Sequence, residues 1–188
     1  MLQKLAVLFP GIGYTVDRPL LHFSRRIAAD LGYEIKPLPY TGFPSNVRGD
    51  RQKMVDCYHI ALTQAREMLS NTDLEGYDDI LFIGKSVGTI AAAALAAESP
   101  VRERIRQVIY TPLEDTFSFP IRSAVAFTGS ADPWVGGSSS RIPALCAERG
   151  IPCFLIPGGN HSLESDSWRN DLKNLHTFLT ETERFIRG

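Results

Sequence analysis

Residues 79–88 read Asp-Ile-Leu-Phe-Ile-Gly-Lys-Ser-Val-Gly and lead directly into the alanine-rich segment 89–97. The run 79–83 is too apolar to have a solvent-facing side, which is typical of a central strand in a sheet covered on both faces. The alanines that follow carry little side-chain bulk, so a helix there can lie close to the sheet. A buried strand that turns directly into a helix predicts an α/β fold.

The rest of the chain alternates short apolar runs with segments of helical period, a pattern that indicates parallel strands joined by helical crossovers. Further strands are predicted at 5–9, 34–38, 107–110, 124–128 and 153–156, and further helices at 19–31, 51–69, 138–149 and from residue 168 onward. Asp17 is the expected cap of the first of these helices. In the last helix, the predicted buried face carries Trp168, Leu172, Leu175 and Leu179. The predicted fold class is therefore α/β, with a mostly parallel central sheet flanked by helices on both faces, in one domain spanning 1–188.

Composition excludes several classes of function. The 188 residues include 20 Lys plus Arg and 21 Asp plus Glu, and this near-neutral balance argues against nucleic acid or an anionic membrane as a partner. Three cysteines without a Cys-x-x-Cys spacing argue against a disulfide framework and against a thiolate zinc site. We expect no metal and no cofactor. The apolar run 5–9 is too short for a signal peptide or a membrane span, so we expect a cytoplasmic location. The oligomeric state cannot be predicted from the sequence.

Ser86 is the candidate nucleophile. It is the central residue of a G-x-S-x-G pentapeptide, Gly84 to Gly88, between the buried strand and the alanine-rich helix. A nucleophilic serine at the end of a strand sits on a sharp, strained turn, and glycines two positions away keep neighbouring chains from clashing with it. A serine that only caps the helix is the alternative.

A serine hydroxyl needs a base, and that base needs a carboxylate to orient it. Among the four histidines, His161 alone follows the last predicted strand in a glycine-containing loop, which can bring it over the edge of the sheet. Asp132 follows the strand 124–128 and is the leading candidate for the acid, with Glu114 and Asp115 as fallbacks. The order Ser, Asp, His along the chain is that of a known serine hydrolase arrangement.

Two backbone amides must converge on the oxyanion that forms during acyl transfer. The first is expected from Val87, directly after the nucleophile. The second is expected from the glycine loop after the first strand, with Ile12 as first choice and Gly11 as second. A plain glycine turn is the alternative for this loop.

Together these residues resemble the α/β-hydrolase fold superfamily of serine hydrolases, over nearly the whole chain. The resemblance implies a mostly parallel sheet and acyl-transfer chemistry through an acyl-serine. Segment 111–123 is too short for the helical lid of many members, so the chain is similar to small lidless esterases and thioesterases. We therefore expect hydrolysis of a carboxylic ester or thioester of a small soluble substrate. The alternative is a non-catalytic ligand-binding protein on the same fold.

Without a lid, the substrate pocket must be built by loops at the edge of the sheet, including the irregular segments 39–49 and 111–123. The residues predicted to bind substrate are Tyr14, Phe117, Trp134 and Leu163, with Tyr40, Phe43 and Phe119 as further bulky residues nearby. Short acyl chains should fit best.

Lys85 precedes the candidate nucleophile, and there are two hypotheses for the role of its side chain. It either spans apolar surface and pairs with a carboxylate, which we favour, or faces the substrate.

Of two nucleotide-binding motifs, the phosphate-binding loop is excluded and the dinucleotide fingerprint is matched only in part. A phosphate-binding loop ending in Gly84-Lys85-Ser86 would need glycine at position 79, where Asp79 stands. A dinucleotide fingerprint beginning at Gly11 would need a third glycine where Val16 stands.

Overall fold

The computed structural model describes residues 2–188, so Met1 of the predicted domain lies outside it. In the described residues, six strands form one sheet in the order β2-β1-β3-β4-β5-β6, and every neighbouring pair is parallel. The strands are β1 (Lys4–Phe9), β2 (Glu34–Pro37), β3 (Asp79–Lys85), β4 (Ile105–Tyr110), β5 (Ser123–Gly129) and β6 (Cys153–Ile156). The predicted fold class is confirmed.

Helices cover both faces of this sheet. They are α1 (Pro19–Asp30), α2 (Arg51–Leu69), α3 (Val87–Glu98), α4 (Ile142–Ala147) and α5 (Trp168–Arg187). Helices α1 and α5 share one buried cluster with Ile83 and Phe127, whereas α2 and α3 pack on the opposite face against Val7 and Phe82. Because all six strands are parallel, their carboxyl ends meet at one edge, where the loops carrying the candidate residues begin.

Three local predictions are wrong. The helix predicted at 138–149 is limited to α4, because Pro143 in its first turn fixes the start at Ile142. The first helix is capped at Arg18 without a side-chain hydrogen bond, while Asp17 instead pairs with Arg25 at 3.6 Å. Helix α5 buries Phe178, Thr182 and Ile186, whereas Trp168 and Leu172 of its predicted buried face are exposed. The face predicted from the first turns therefore does not continue along the helix.

Arg106 fixes the carboxyl end of α5 to the sheet. Its guanidinium donates to the carbonyl oxygens of Phe185, at 2.8 Å, and Ile186, at 3.1 Å, and forms an ion pair of 2.7 Å with Asp79. The last carbonyls of a helix have no intrahelical partner, so this arginine satisfies two of them.

Among the described residues, no helix is long and apolar enough to cross a membrane.

Candidate active site

Ser86 occupies the turn between β3 and α3, with φ +56° and ψ −127°. This conformation is strained for a residue with a side chain and places Ser86 at the carboxyl edge of the sheet. The flanking glycines make the turn possible: a Cβ on Gly88 would lie 2.1 Å from the carbonyl oxygen of Phe9, and one on Gly84 would lie 2.9 Å from the Cα of Thr89. The G-x-S-x-G spacing is therefore a steric requirement of this turn.

A pair of threonines, which the sequence analysis did not single out, supports the turn from the helix side. The carbonyl oxygen of Ser86 accepts hydrogen bonds from the Thr89 amide at 2.8 Å and from the Thr89 hydroxyl at 2.6 Å. That hydroxyl also contacts the Thr116 hydroxyl at 2.6 Å. Both threonines are fully buried, so the strained serine is held by hydrogen bonds shielded from water.

The structure brings Ser86, His161 and Asp132 into one chain of hydrogen bonds. His161 Nε2 lies 2.8 Å from Ser86 Oγ, and His161 Nδ1 lies 2.7 Å from Asp132 Oδ2. The other carboxylate oxygen, Oδ1, accepts the Trp134 amide at 2.9 Å, so the buried carboxylate is bonded at both oxygens. The fallback Glu114 instead lies 3.6 Å from Arg141.

Close packing of two loops sets the position of His161. A Cβ on Gly129, at the end of β5, would lie 2.0 Å from the Gly159 carbonyl oxygen, so only glycine lets the two loops meet. The Ala131 amide then donates to that same carbonyl at 2.9 Å. The loops that carry Asp132 and His161 are thus joined through their backbones as well as through these two side chains.

His161 is mostly buried, and the Trp134 ring stacks on its imidazole with ring centres 5.1 Å apart. Burial lowers the pKa of His161 below its ordinary value; the hydrogen bond to Asp132 opposes this change, and the nearby cation of Lys85 adds to it. The imidazole is therefore neutral at neutral pH, which is the form that can accept the proton of a serine hydroxyl.

The glycine loop after β1 lies directly against the turn of Ser86. A Cβ on Gly11 would be 3.0 Å from Ser86 Cβ, because the end of β1 pairs with Gly84 on β3. The loop closes on itself: the Gly11 amide donates to the Tyr14 carbonyl at 3.1 Å, and the Tyr14 amide donates to the Gly11 carbonyl at 3.3 Å. The prediction that Gly11 donates to an oxyanion is thus wrong, because its N–H already has an acceptor.

Two amides beside Ser86 remain available. Among the described residues, neither the Ile12 amide nor the Val87 amide donates a hydrogen bond within the protein. Val87 is the first residue of α3, so its N–H also carries the positive end of the helix dipole. Both belong to segments that meet at Ser86, and both can donate a hydrogen bond to a negatively charged oxygen there.

The residues predicted to bind substrate divide into three groups. Trp134 forms one wall of a groove of about 770 Å³, which also includes parts of segments 39–49 and 111–123. Tyr14 and Leu163 line a smaller apolar pocket of about 270 Å³ on the α1 and α5 side. The prediction that Phe117 binds substrate is wrong. Its side chain is 3% exposed and packs into the core beneath the Arg149 guanidinium, since a short helical turn at Glu114–Ser118 directs the ring inward.

Lys85 is 1% exposed and points to the α1 and α5 side of the sheet. Its Nζ lies 4.9 Å from the centre of the Tyr14 ring. Within the described residues no carboxylate lies within 4.0 Å of it, so the expected ion pair is not formed, although the side chain does run through apolar surroundings. Burial lowers the pKa of Lys85 to about 7, and the more distant charges of Asp132 and Glu164 oppose that change.

No protein-family model matches the sequence, and no curated protein matches it either. Solved structures do match. An alpha-beta serine hydrolase homologue from Coxiella burnetii is 15% identical, with 97% of this chain and 84% of that chain covered and a TM-score of 0.64. An esterase from Pyrococcus furiosus is 12% identical, with 99% and 83% covered and a TM-score of 0.64. A serine hydrolase without a lid from Xanthomonas campestris is 12% identical, with 100% and 83% covered and a TM-score of 0.58.

At these identities the likeness shows the fold. The fold is defined by the parallel sheet and the serine turn after β3, and the solved structures match it over nearly the whole chain. The chain has the α/β-hydrolase fold.

Proposed function

We propose that this protein is a serine hydrolase that cleaves a carboxylic ester or thioester of a small soluble substrate through an acyl-serine. The observation that carries the proposal is the hydrogen-bonded chain from Ser86 through His161 to Asp132, with distances of 2.8 and 2.7 Å. A serine that only capped α3 would direct its hydroxyl at a helix amide, yet Ser86 makes no such bond.

In the proposed reaction, His161 Nε2 takes the proton of Ser86 while Oγ attacks the carbonyl carbon of the substrate. The Nδ1–H of His161 donates to Asp132, which holds the imidazole in this tautomer and stabilises the imidazolium. The amides of Val87 and Ile12 hold the oxyanion. The proton then passes from Nε2 to the leaving alcohol or thiol, and in the second half His161 activates water to release the acid.

Two cavities adjoin the site through Trp134, which stacks on His161, and Tyr14, which lies against Lys85, and they suggest how a substrate is held although Ser86 lines neither of them. The pocket lined by Tyr14 and Leu163 is apolar and small, which favours a short acyl chain. The groove beside Trp134 is larger, carries charges of both signs and suits a polar leaving group. We expect p-nitrophenyl acetate and butyrate to be cleaved faster than long-chain esters, without activation at a lipid interface.

A fluorophosphonate probe tests the proposal, because it reacts with serines that an adjacent base has activated. The wild type should be labelled, Ser86→Ala and His161→Ala should not, and Asp132→Asn should lose about 10³- to 10⁴-fold in ester hydrolysis. His176→Ala is the matched control, since His176 is exposed on α5. A folded wild type that neither takes the probe nor cleaves an activated ester would instead favour a ligand-binding protein on this fold.

A further inference from the structure

The buried lysine beside the nucleophile has no role in the proposed reaction. Taking an unpaired ammonium out of water is costly, and Leu81 and Ile83, which precede Lys85 on the same face of β3, are apolar. An apolar residue would therefore suit this position better if only packing mattered.

The side chain of Lys85 lies close to Gly11 at one end of the loop 11–14 and contacts Tyr14 at the other. A Cβ added to Gly11 would lie 3.5 Å from Lys85 Cγ, and Lys85 Nζ lies over the face of the Tyr14 ring at 4.9 Å from the centre. These same two residues close the loop through their paired backbone hydrogen bonds. Lys85 thus spans the loop on its buried side, from the turn of Ser86 to the far end.

We propose that Lys85 is a positioning residue that holds loop 11–14 against Ser86 and thereby fixes the Ile12 amide. An ammonium over an aromatic face is attracted by the ring, and more strongly when water is excluded, as it is here. Tyr14 is itself anchored, because its hydroxyl accepts the Leu20 amide of α1 at 3.1 Å. The loop 11–14 is therefore held between the turn of Ser86 and the start of α1.

The catalytic part of this inference rests on the proposed function. An oxyanion donor must be in place before charge develops on the substrate, so a looser Ile12 amide weakens binding of the transition state more than binding of the ester. Loss of the lysine should consequently lower kcat and leave KM nearly unchanged.

Hydrogen exchange provides a test that does not need activity. At pH 6, where Lys85 is protonated, the Gly11 and Tyr14 amides, which donate the two hydrogen bonds that close the loop, should exchange about tenfold faster in Lys85→Met than in wild type. Lys4→Met is the matched control: Lys4 lies 5.2 Å from the Tyr33 ring, at the amino end of β1, and its loss should leave the loop's exchange unchanged.

A double-mutant cycle identifies the contact responsible. Tyr14→Leu removes the ring face and also the hydroxyl bonded to Leu20, so it should speed exchange at least as much as Lys85→Met does, and the double variant should be no faster than Tyr14→Leu alone. Tyr14→Phe keeps the face and should retain more protection than Tyr14→Leu. Lys85→Arg keeps a cation that can stack on the ring, so the loop amides should be better protected from exchange in this variant than in Lys85→Met.

Kinetics with p-nitrophenyl butyrate complete the test. Lys85→Met should lose about 10- to 100-fold in kcat with KM within about twofold of wild type. Unchanged loop exchange in Lys85→Met would overturn the inference, and so would faster exchange with wild-type kcat. A wild type without esterase activity would instead refute the proposed function, and the exchange data would still decide whether Lys85 holds the loop.

Discussion

Replacing Lys85 with methionine should make the folded protein more stable, by an amount that depends on pH. Methionine keeps an unbranched side chain of similar length and removes the charge. The side chain is 1% exposed and its ammonium has no carboxylate within 4.0 Å in the part of the chain described, so solvent and ion pairing do little to reduce the cost of burying it.

The size of the effect follows from the pKa. Burial lowers the pKa of Lys85 from its ordinary 10.5 to about 7, and each unit corresponds to about 1.4 kcal/mol. Between these values the unfolded chain binds the proton and the folded chain does not, so the stability of the wild type rises with pH across that window. Below pH 7 both states are protonated, and the full cost, about 5 kcal/mol, is present. At pH 9 about 2 kcal/mol remains.

Urea unfolding of both proteins at pH 6 and pH 9 measures this difference. Lys85→Met should exceed the wild type in free energy of unfolding at pH 6, and the excess should shrink by about 3 kcal/mol at pH 9. Lys4→Met controls for the loss of an ordinary lysine. An excess that is equal at the two pH values, or a variant less stable than wild type at pH 6, would show that burial of the Lys85 charge does not carry this cost.

Three further outcomes are expected. Gly88→Ala places a Cβ 2.1 Å from the Phe9 carbonyl oxygen, so thermal unfolding should show a loss of about 3 kcal/mol or more in the free energy of unfolding. The variant should also lose labelling by the probe, and a stable, labelled variant would show that the turn tolerates a Cβ at this position. Since burial lowers the pKa of His161 below 6.5, the acid limb of kcat/KM should be centred below pH 6.5, and a limb centred above that value would contradict it. Arg106→Met removes the cation beside Asp79, which among the described residues keeps only its hydrogen bond from Tyr33, and removes the donor to two helix carbonyls. Urea unfolding should therefore show a loss of about 2 to 4 kcal/mol, and a change under 0.5 kcal/mol would count against the contact.

Much of the fold was predictable because its signals are local. A strand buried on both faces must be apolar throughout, and a strand that turns into a helix at Ser86 needs glycine at positions 84 and 88. The meeting of Ser86, Asp132 and His161 at one edge follows from parallel strands, since each residue comes just after a strand's carboxyl end. Their hydrogen-bond distances required the structure.

The remaining features depend on tertiary contacts that leave no local pattern. The closure of loop 11–14 on itself, which occupies the Gly11 amide, cannot be read from a pair of glycines. The buried face of α5 is set by Tyr110, whose hydroxyl lies 2.6 Å from Thr182 and 2.9 Å from Ser24. The presence of Thr182 in an amphipathic helix does not predict a hydrogen bond to the Tyr110 hydroxyl. The contact of Lys85 with Tyr14 likewise joins residues that are distant in sequence.

The proposed function requires that Ser86, activated by His161, becomes acylated. This step can be observed by mixing the protein with p-nitrophenyl butyrate, quenching with acid within the first turnovers and locating the acyl group by peptide mass spectrometry. We predict a butyryl ester on Ser86 in wild type, and none in His161→Ala under the same conditions. A butyryl group found only on another residue, such as Lys85, would show that Ser86 is not the nucleophile, and an equally acylated Ser86 in His161→Ala would show that His161 is not its base.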